Sequence, residues 1–131
     1  MHFRVLDGHS FTIPGGTTGV LYPAHPKGEQ SVAVVKLDGV YPEKGYSLND
    51  VCTETLYVLE GEIKMYSLEV KMGSGTDSPG ETEPDPKEYT LEPGDLFMIV
   101  PGNKYRLTGK GRACVLITPA WDSKQNHIVE E

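Results

Sequence analysis

The sequence has few cysteines and no long apolar run. Its two cysteines, Cys52 and Cys114, lie far apart and form no CxxC pair. We therefore expect reduced thiols rather than a disulfide framework. No stretch approaches the roughly 18 apolar residues of a membrane-spanning helix, and the amino terminus lacks a basic segment followed by an apolar run. These absences predict a cytoplasmic protein.

Basic residues are also scarce, with 12 Lys and Arg against 19 Asp and Glu, which gives a net charge of -7. This balance disfavours the basic surface that contacts nucleic-acid phosphates, and it disfavours attraction to an anionic membrane. An acidic surface is typical of a protein that stays in solution. We therefore expect a small-molecule partner and no nucleic-acid or membrane partner.

Turn-forming residues are abundant: the chain has 15 Gly and 10 Pro, with Val and Thr clustered in short runs. This composition favours short strands joined by turns over a helical bundle. A chain of 131 residues fits one domain, which we assign to residues 1–131. The predicted class is all-β, with little helix.

The strand signals are strongest in three places. Ser31 to Asp38, SVAVVKLD, predicts a strand that ends in an Asp38-Gly39 turn. Two strand-like runs flank Gly61, where we predict a tight hairpin because glycine tolerates a positive φ. A further turn is predicted at Gly109-Lys110-Gly111. Short strands at this spacing indicate a sandwich or a barrel.

Two other stretches have distinct patterns. Alternation places Glu54, Leu56 and Val58 on one strand face, so that one carboxylate precedes apolar residues. Residues 73–88 are rich in Gly, Ser, Pro and acidic residues, which predicts a mobile, solvated loop. A lid or a partner contact is the alternative for this loop. Trp121 is predicted to pack the tail against the barrel or a partner subunit.

Two motifs resemble those of the cupin superfamily. Glu54 is followed by six residues and Gly61, which matches half of the first cupin motif, and Gly94, Pro101 and Gly102 match the second, with Val100 where a proline is usual. The resemblance covers roughly residues 31–120, which we take as the barrel core. It implies an antiparallel double-stranded jelly-roll barrel. It also implies a homodimer, because cupins of this size often form dimers.

The same resemblance implies that two histidines and the glutamate of the first motif, with one histidine of the second, bind a divalent metal. Only the glutamate, Glu54, is present here. The first-motif histidine positions fall on Leu48 and Asp50 or, with the longer spacing, on Ser47 and Asn49, and the second-motif position falls on Tyr105. These oxygen donors do not suit a first-row transition metal. We therefore predict no metal site and no cofactor, and we leave open weak binding of calcium or magnesium by these hard oxygen donors.

The four histidines lie outside both motifs and have no partner at ligand spacing, so we interpret them as surface imidazoles: His2, His9, His25 and His127. One alternative stays open. A metal-dependent cupin enzyme of the oxygenase or phosphomannose-isomerase-like kind could use non-motif ligands such as His25 or His127.

Without metal, the resemblance leaves an apolar pocket with a polar rim, which is typical of a small-molecule site. The predicted ligand-binding residues are Ser47, Asn49, Asp50, Glu54 and Tyr105. They suit a polyhydroxylated or carbonyl-bearing ligand, so we expect a small polar metabolite such as a sugar-like one. The alternatives are a barrel that binds nothing and a metal-independent isomerase, epimerase or lyase. In such an enzyme Glu54 and Tyr105 are the acid and base.

Overall fold

The structure, a computed structural model, describes residues 1–68 and 86–129. Within these residues there are two 3₁₀ turns, Val5–Asp7 and Ser123–Gln125, and no α-helix. The nine strands found there are β1 (His9–Ile13), β2 (Thr17–Leu21), β3 (Ser31–Tyr41), β4 (Tyr46–Asn49), β5 (Thr53–Leu68), β6 (Lys87–Leu91), β7 (Leu96–Ile99), β8 (Lys104–Thr118) and β9 (Asn126–Val129). The all-β prediction is confirmed.

The long strand β8 is the centre of the sheet. It pairs with β3 along one edge and with β5 along the other. The order β1-β2-β3 continues outward from β3, whereas β6 and β7 pair with the two halves of β5. The end of β8 also pairs with β4, which pairs with β9. All pairs are antiparallel, and the sheet curls around a common interior, as the predicted jelly roll requires.

Three turns predicted at glycines are wrong. Asp38-Gly39 lies within β3, Gly61 lies within β5, and Gly109-Lys110-Gly111 lies within β8. The glycines face one another across neighbouring strands, because Gly39 pairs with Gly109 and Gly61 with Gly111. Absence of side chains at these positions lets long strands bend and approach closely without ending.

A β-bulge in β5 explains how one strand serves both halves of the barrel. The register with β8 shifts between Val58 and Glu60, next to Gly61 at φ 78°. Before the bulge the even-numbered residues point inward, so Glu54, Leu56 and Val58 share one face, as predicted, and that face is buried. After it the odd-numbered residues are buried, beginning with Ile63. The extra residue thereby keeps an apolar face toward the core along the whole strand.

The predicted acidic loop, 73–88, falls mostly outside the described residues. Its last two positions belong to β6, which begins at Lys87. Strand pairing with β5 orders Lys87 and Glu88, because they lie opposite Ser67 and Tyr66. The predicted loop therefore extends two residues too far.

Both cysteines are free thiols, as predicted, with Cys52 buried and Cys114 half-buried. Among residues 1–68 and 86–129, no helix has the length and apolar character needed to cross a bilayer.

Candidate functional site

The concave side of the sheet encloses a cavity of about 320 Å³. Alternating residues of β3, β5 and β8 form most of its wall, and these are aliphatic side chains such as Leu37, Leu56 and Val115. Period-two alternation explains this arrangement, since every second residue of a strand faces the same side of the sheet. The volume lies at the lower end of the range for small-molecule sites. The cavity therefore suits a compact ligand with a substantial apolar surface.

Glu54 and Tyr105 meet inside this apolar cavity. The Tyr105 hydroxyl donates a hydrogen bond to Glu54 Oε2 at 3.0 Å. The two residues are only 8% and 4% exposed, and Glu54 is the one charged residue buried within the described parts of the chain. Buried carboxylates without a cationic partner are rare in stable cores, because the charge loses its hydration. The Glu54–Tyr105 pair is therefore a candidate for a role in binding or catalysis.

Burial determines the protonation of both groups. Desolvation raises the pKa of Glu54, although the hydrogen bond from Tyr105 opposes the shift. Desolvation also raises the pKa of Tyr105 well above its ordinary value, and the negative charge of Glu54 adds to this effect. Tyr105 is therefore a protonated donor at neutral pH. Glu54 is a carboxyl group that can exchange a proton with a ligand more readily than an exposed glutamate.

Tyr41 and Asn126 also line the cavity, and sequence reasoning missed both. The Tyr41 and Tyr105 rings are 6.0 Å apart between centroids. Ser47 links Tyr41 to Asn126. Its Oγ lies 3.3 Å from the Tyr41 hydroxyl and donates a hydrogen bond to Asn126 Oδ1 at 3.3 Å. No motif covers Tyr41 or Asn126. The only signal was the Pro42 turn after Tyr41, and it indicates structure rather than function.

The structure brings together two of the five predicted site residues, Glu54 and Tyr105, and places the other three outside the cavity wall. Ser47 lies behind Tyr41. Asn49 Oδ1 accepts hydrogen bonds from the backbone N–H groups of Val51 and Cys52 at 2.9 and 2.6 Å. These bonds stabilise the turn that leads into β5. Asp50 is exposed and contacts His127 Nε2 at 2.6 Å. These three residues support the polypeptide around the site.

Comparisons with known proteins bear on the fold. No family profile matches the chain, and no curated protein matches it by sequence. Among solved structures, Pac13 from Streptomyces superposes with a TM-score of 0.77 at 15% identity, covering 99% of this chain and 91% of its own. Pac13 is a nucleoside dehydratase. An RmlC-like cupin from Shewanella frigidimarina superposes with a TM-score of 0.66 at 18% identity, covering 95% and 96%.

The chain has the cupin fold. A third neighbour, KdgF from Halomonas sp., supports the same conclusion, with a TM-score of 0.65, 16% identity and coverage of 95% of this chain and 99% of its own. The identities are low, so the likeness identifies the cupin scaffold and leaves function to the residues of the site.

The cupin motif positions of this chain do not form a transition-metal site. Alternation along β4 turns Ser47 and Asn49 inward, so the longer motif spacing applies. Ser47 is an alcohol, Asn49 Oδ1 is already hydrogen bonded, and the raised pKa of Tyr105 keeps its phenol protonated. Imidazole and thiolate are the donors such metals prefer. Of the motif positions, only Glu54 has a side chain that commonly binds a metal ion.

The histidines do not supply the missing donors. All four are exposed, as predicted, although His9 reaches the cavity wall. His25 lies near Glu29 and accepts a hydrogen bond from Lys27 N, and His127 contacts Asp50. Across residues 1–68 and 86–129, no three His, Cys, Asp or Glu side chains are grouped closely enough to hold a metal ion. The metalloenzyme alternative with His25 or His127 therefore lacks a donor set in this part of the chain.

Proposed function

We propose that the protein binds a small organic metabolite inside the barrel, with one polar group against Glu54 and Tyr105. The observation that carries this proposal is the buried hydrogen bond between these two residues in an otherwise aliphatic cavity. A few placed polar groups within an apolar enclosure are typical of sites that bind and orient a small ligand. Glu54 accepts hydrogen bonds when ionised, and Tyr105 provides a hydroxyl that can donate or accept.

The aliphatic cavity wall favours a narrower class of ligand than the sugar-like metabolite predicted from sequence. Most of the wall offers no hydrogen bond, so a fully hydroxylated sugar would leave hydroxyl groups buried and unpaired, at a cost of about 1–3 kcal/mol each. A sugar-like ring with few free hydroxyls, as in a deoxy sugar or a nucleoside, avoids this cost. The Streptomyces neighbour has been solved with uridine, which supports including nucleosides among the candidates.

A thermal-shift screen tests the proposal with nucleosides, deoxy sugars, free sugars and sugar acids. A compound that binds the native state raises the melting temperature, and calorimetry then gives its affinity. Tyr105→Phe removes one hydroxyl from the cavity and should weaken binding about 10- to 100-fold, as for one hydrogen bond in a charged network. Tyr66→Phe is the matched control, because its hydroxyl contacts Glu88 on the exposed side.

The control should bind the selected compound like the unmodified protein. If no compound raises the melting temperature, or if Tyr66→Phe and Tyr105→Phe weaken binding equally, the proposal is wrong.

A second candidate function is acid–base catalysis by the same pair, because burial raises the pKa of Glu54 and makes its carboxylate a stronger base than that of an exposed glutamate. Here the Glu54 carboxylate removes a proton from carbon next to a carbonyl, and the Tyr105 hydroxyl stabilises the oxygen that gains charge. Return of the proton to carbon gives an epimer or isomer, and loss of a β-hydroxyl as water gives a lyase product. NMR in D₂O detects exchange of that proton, and Glu54→Gln should slow exchange about 100-fold or more. Equal exchange in the variant would remove this candidate.

We further propose that the expected homodimer forms through the outer face of β5, β7 and β8. Four exposed apolar side chains cluster there: Tyr57, Leu96, Met98 and Leu116. Strand pairing makes them neighbours, because Tyr57 lies opposite Leu96, and Thr55 lies between Met98 and Leu116. These rows carry no charged side chain, so a two-fold related copy of this acidic chain can meet them without facing like charges.

Light scattering after size-exclusion chromatography checks the dimer. The unmodified protein should have the mass of a dimer, and Met98→Lys should shift it to a monomer because it buries a lysine in the contact. Leu6→Lys is the control, because Leu6 is exposed elsewhere on the surface. A monomeric unmodified protein, or a dimer that survives Met98→Lys, would contradict this interface.

A further inference from the structure

A second space adjoins the barrel cavity. It is an open groove of about 380 Å³ whose wall includes Pro14, Pro42 and Ile128. Four side chains line both spaces: Ile13, Tyr41, Trp121 and Asn126. The cavity and the groove are therefore neighbouring compartments with a shared wall rather than unrelated sites.

We propose that the ligand has two parts, a compact part in the barrel cavity and a neutral planar ring held against Trp121 in the groove. This inference rests on the proposed function, since it assumes that the cavity binds the compact part. It names the ligand class more narrowly: a small, sugar-sized unit joined to a flat ring.

Trp121 is the surface that selects a planar ring. Its side chain remains 38% exposed even though its backbone N–H is anchored to Ser31 Oγ at 3.0 Å. Within residues 1–68 and 86–129, the indole has no aromatic ring partner. Pro14 and Pro42 add rigid apolar surface to the same groove. An accessible indole on an anchored backbone favours stacking with a flat ring.

The charges of the groove favour a neutral ring over an anion. Glu43 and Lys44 both line it, and neither makes an ion pair with any described residue. An anionic group that approached Lys44 would also approach the carboxylate of Glu43. A ring that carries both a hydrogen-bond donor and an acceptor matches the two side chains together.

Asn126 provides a donor where the compartments join. Its Oδ1 accepts from Ser47 Oγ, which leaves the Nδ2 group without a hydrogen-bond partner in the described part of the chain. Because Asn126 lines both spaces, this amide is available to a polar atom that links the two parts of a ligand. Its position on β9 gives the carboxyl-terminal strand a role in recognition.

Trp121 is the only tryptophan of the chain, and it lines both spaces, so its fluorescence reports binding at the shared wall of the groove and the cavity. The probes are uridine and 2′-deoxyuridine, which have two parts, and the separate ribose, 2-deoxyribose and uracil. We expect at least one two-part probe to raise the melting temperature and change Trp121 emission, and to bind more tightly than either of its halves. Trp121→Ala should weaken that probe about 5- to 100-fold, the range for one stacked ring, and should weaken the separate sugars less, because they carry no ring to stack.

Trp121→Phe keeps an aromatic ring and should retain most of the affinity, which separates loss of stacking from loss of folding. The inference is wrong if a two-part probe binds through Tyr105 but leaves Trp121 emission and the Trp121→Ala affinity unchanged, and the proposed function then stands. If no probe raises the melting temperature, the inference is wrong, and the wider screen of nucleosides, deoxy sugars, free sugars and sugar acids decides the proposed function separately.

Discussion

Replacing Gly61 by alanine is expected to destabilise the protein by about 4 kcal/mol or more, the range reserved for severe local strain. Gly61 has φ 78°, a conformation that alanine adopts only at a cost. An added Cβ would also collide with the Lys110 carbonyl oxygen and would lie 2.6 Å from Gly111 Cα. Both obstacles are backbone atoms of the paired strand β8, so neither can rotate away. Urea unfolding measures the loss.

Gly28→Ala is the matched control for this substitution. Gly28 has nearly the same backbone angle, φ 70°, but nothing lies within 4 Å of an added Cβ. The control should therefore lose only about 1–2 kcal/mol, the cost of the left-handed conformation itself. Equal losses for the two variants would show that crowding across the β5–β8 bend has no structural importance.

Glu54→Gln is expected to become more stable than the wild type as the pH rises. The substitution also removes any proton transfer by this residue. Burial raises the folded-state pKa of Glu54 above its ordinary value of 4.5. The folded state therefore holds this proton more tightly, and wild-type stability falls as pH rises from 4.5 through the folded pKa. For one group the slope is at most about 1.4 kcal/mol per pH unit. Glutamine has no such proton and can still accept from Tyr105.

Urea unfolding at a series of pH values tests this expectation. The difference in unfolding free energy between Glu54→Gln and wild type should grow from pH 4.5 upward and level off above the folded pKa. Glu62→Gln, an exposed position in the same strand, should track wild type within about 0.5 kcal/mol. A variant that becomes less stable than wild type with rising pH would mean that ionised Glu54 is favoured in the folded protein. A gain of stability on removing a functional group would fit the common trade between activity and stability.

Much of the fold was accessible from sequence because its signals are local and repeated. Alternation correctly grouped Glu54 and Leu56 on one strand face, which the structure turns inward, and Gly61, Gly94 and Gly102 identified the scaffold. The same glycines misled the turn prediction. A glycine with a positive φ signals a hairpin and a bulge equally well, and only the pairing of Gly61 with a glycine of β8 selects the bulge.

The site was accessible only where the motifs reached. Counting along them predicted Glu54 and Tyr105, which the structure joins at 3.0 Å. Tyr41, Trp121 and Asn126 come from the end of β3 and from the tail after β8, far apart in the chain. Only the curled sheet brings them to one wall, and such long-range placement leaves no local pattern. For the same reason, Asn49 resembled a ligand in sequence although its oxygen already holds the turn before β5.

The most direct test of the ligand site is a crystal structure with the compound that most raises the melting temperature. We expect an ordered molecule to fill the barrel cavity, with one polar group within hydrogen-bond distance of the Glu54 carboxyl or the Tyr105 hydroxyl. An ordered molecule bound elsewhere, while the cavity remains empty and the Glu54–Tyr105 hydrogen bond unchanged, would contradict it.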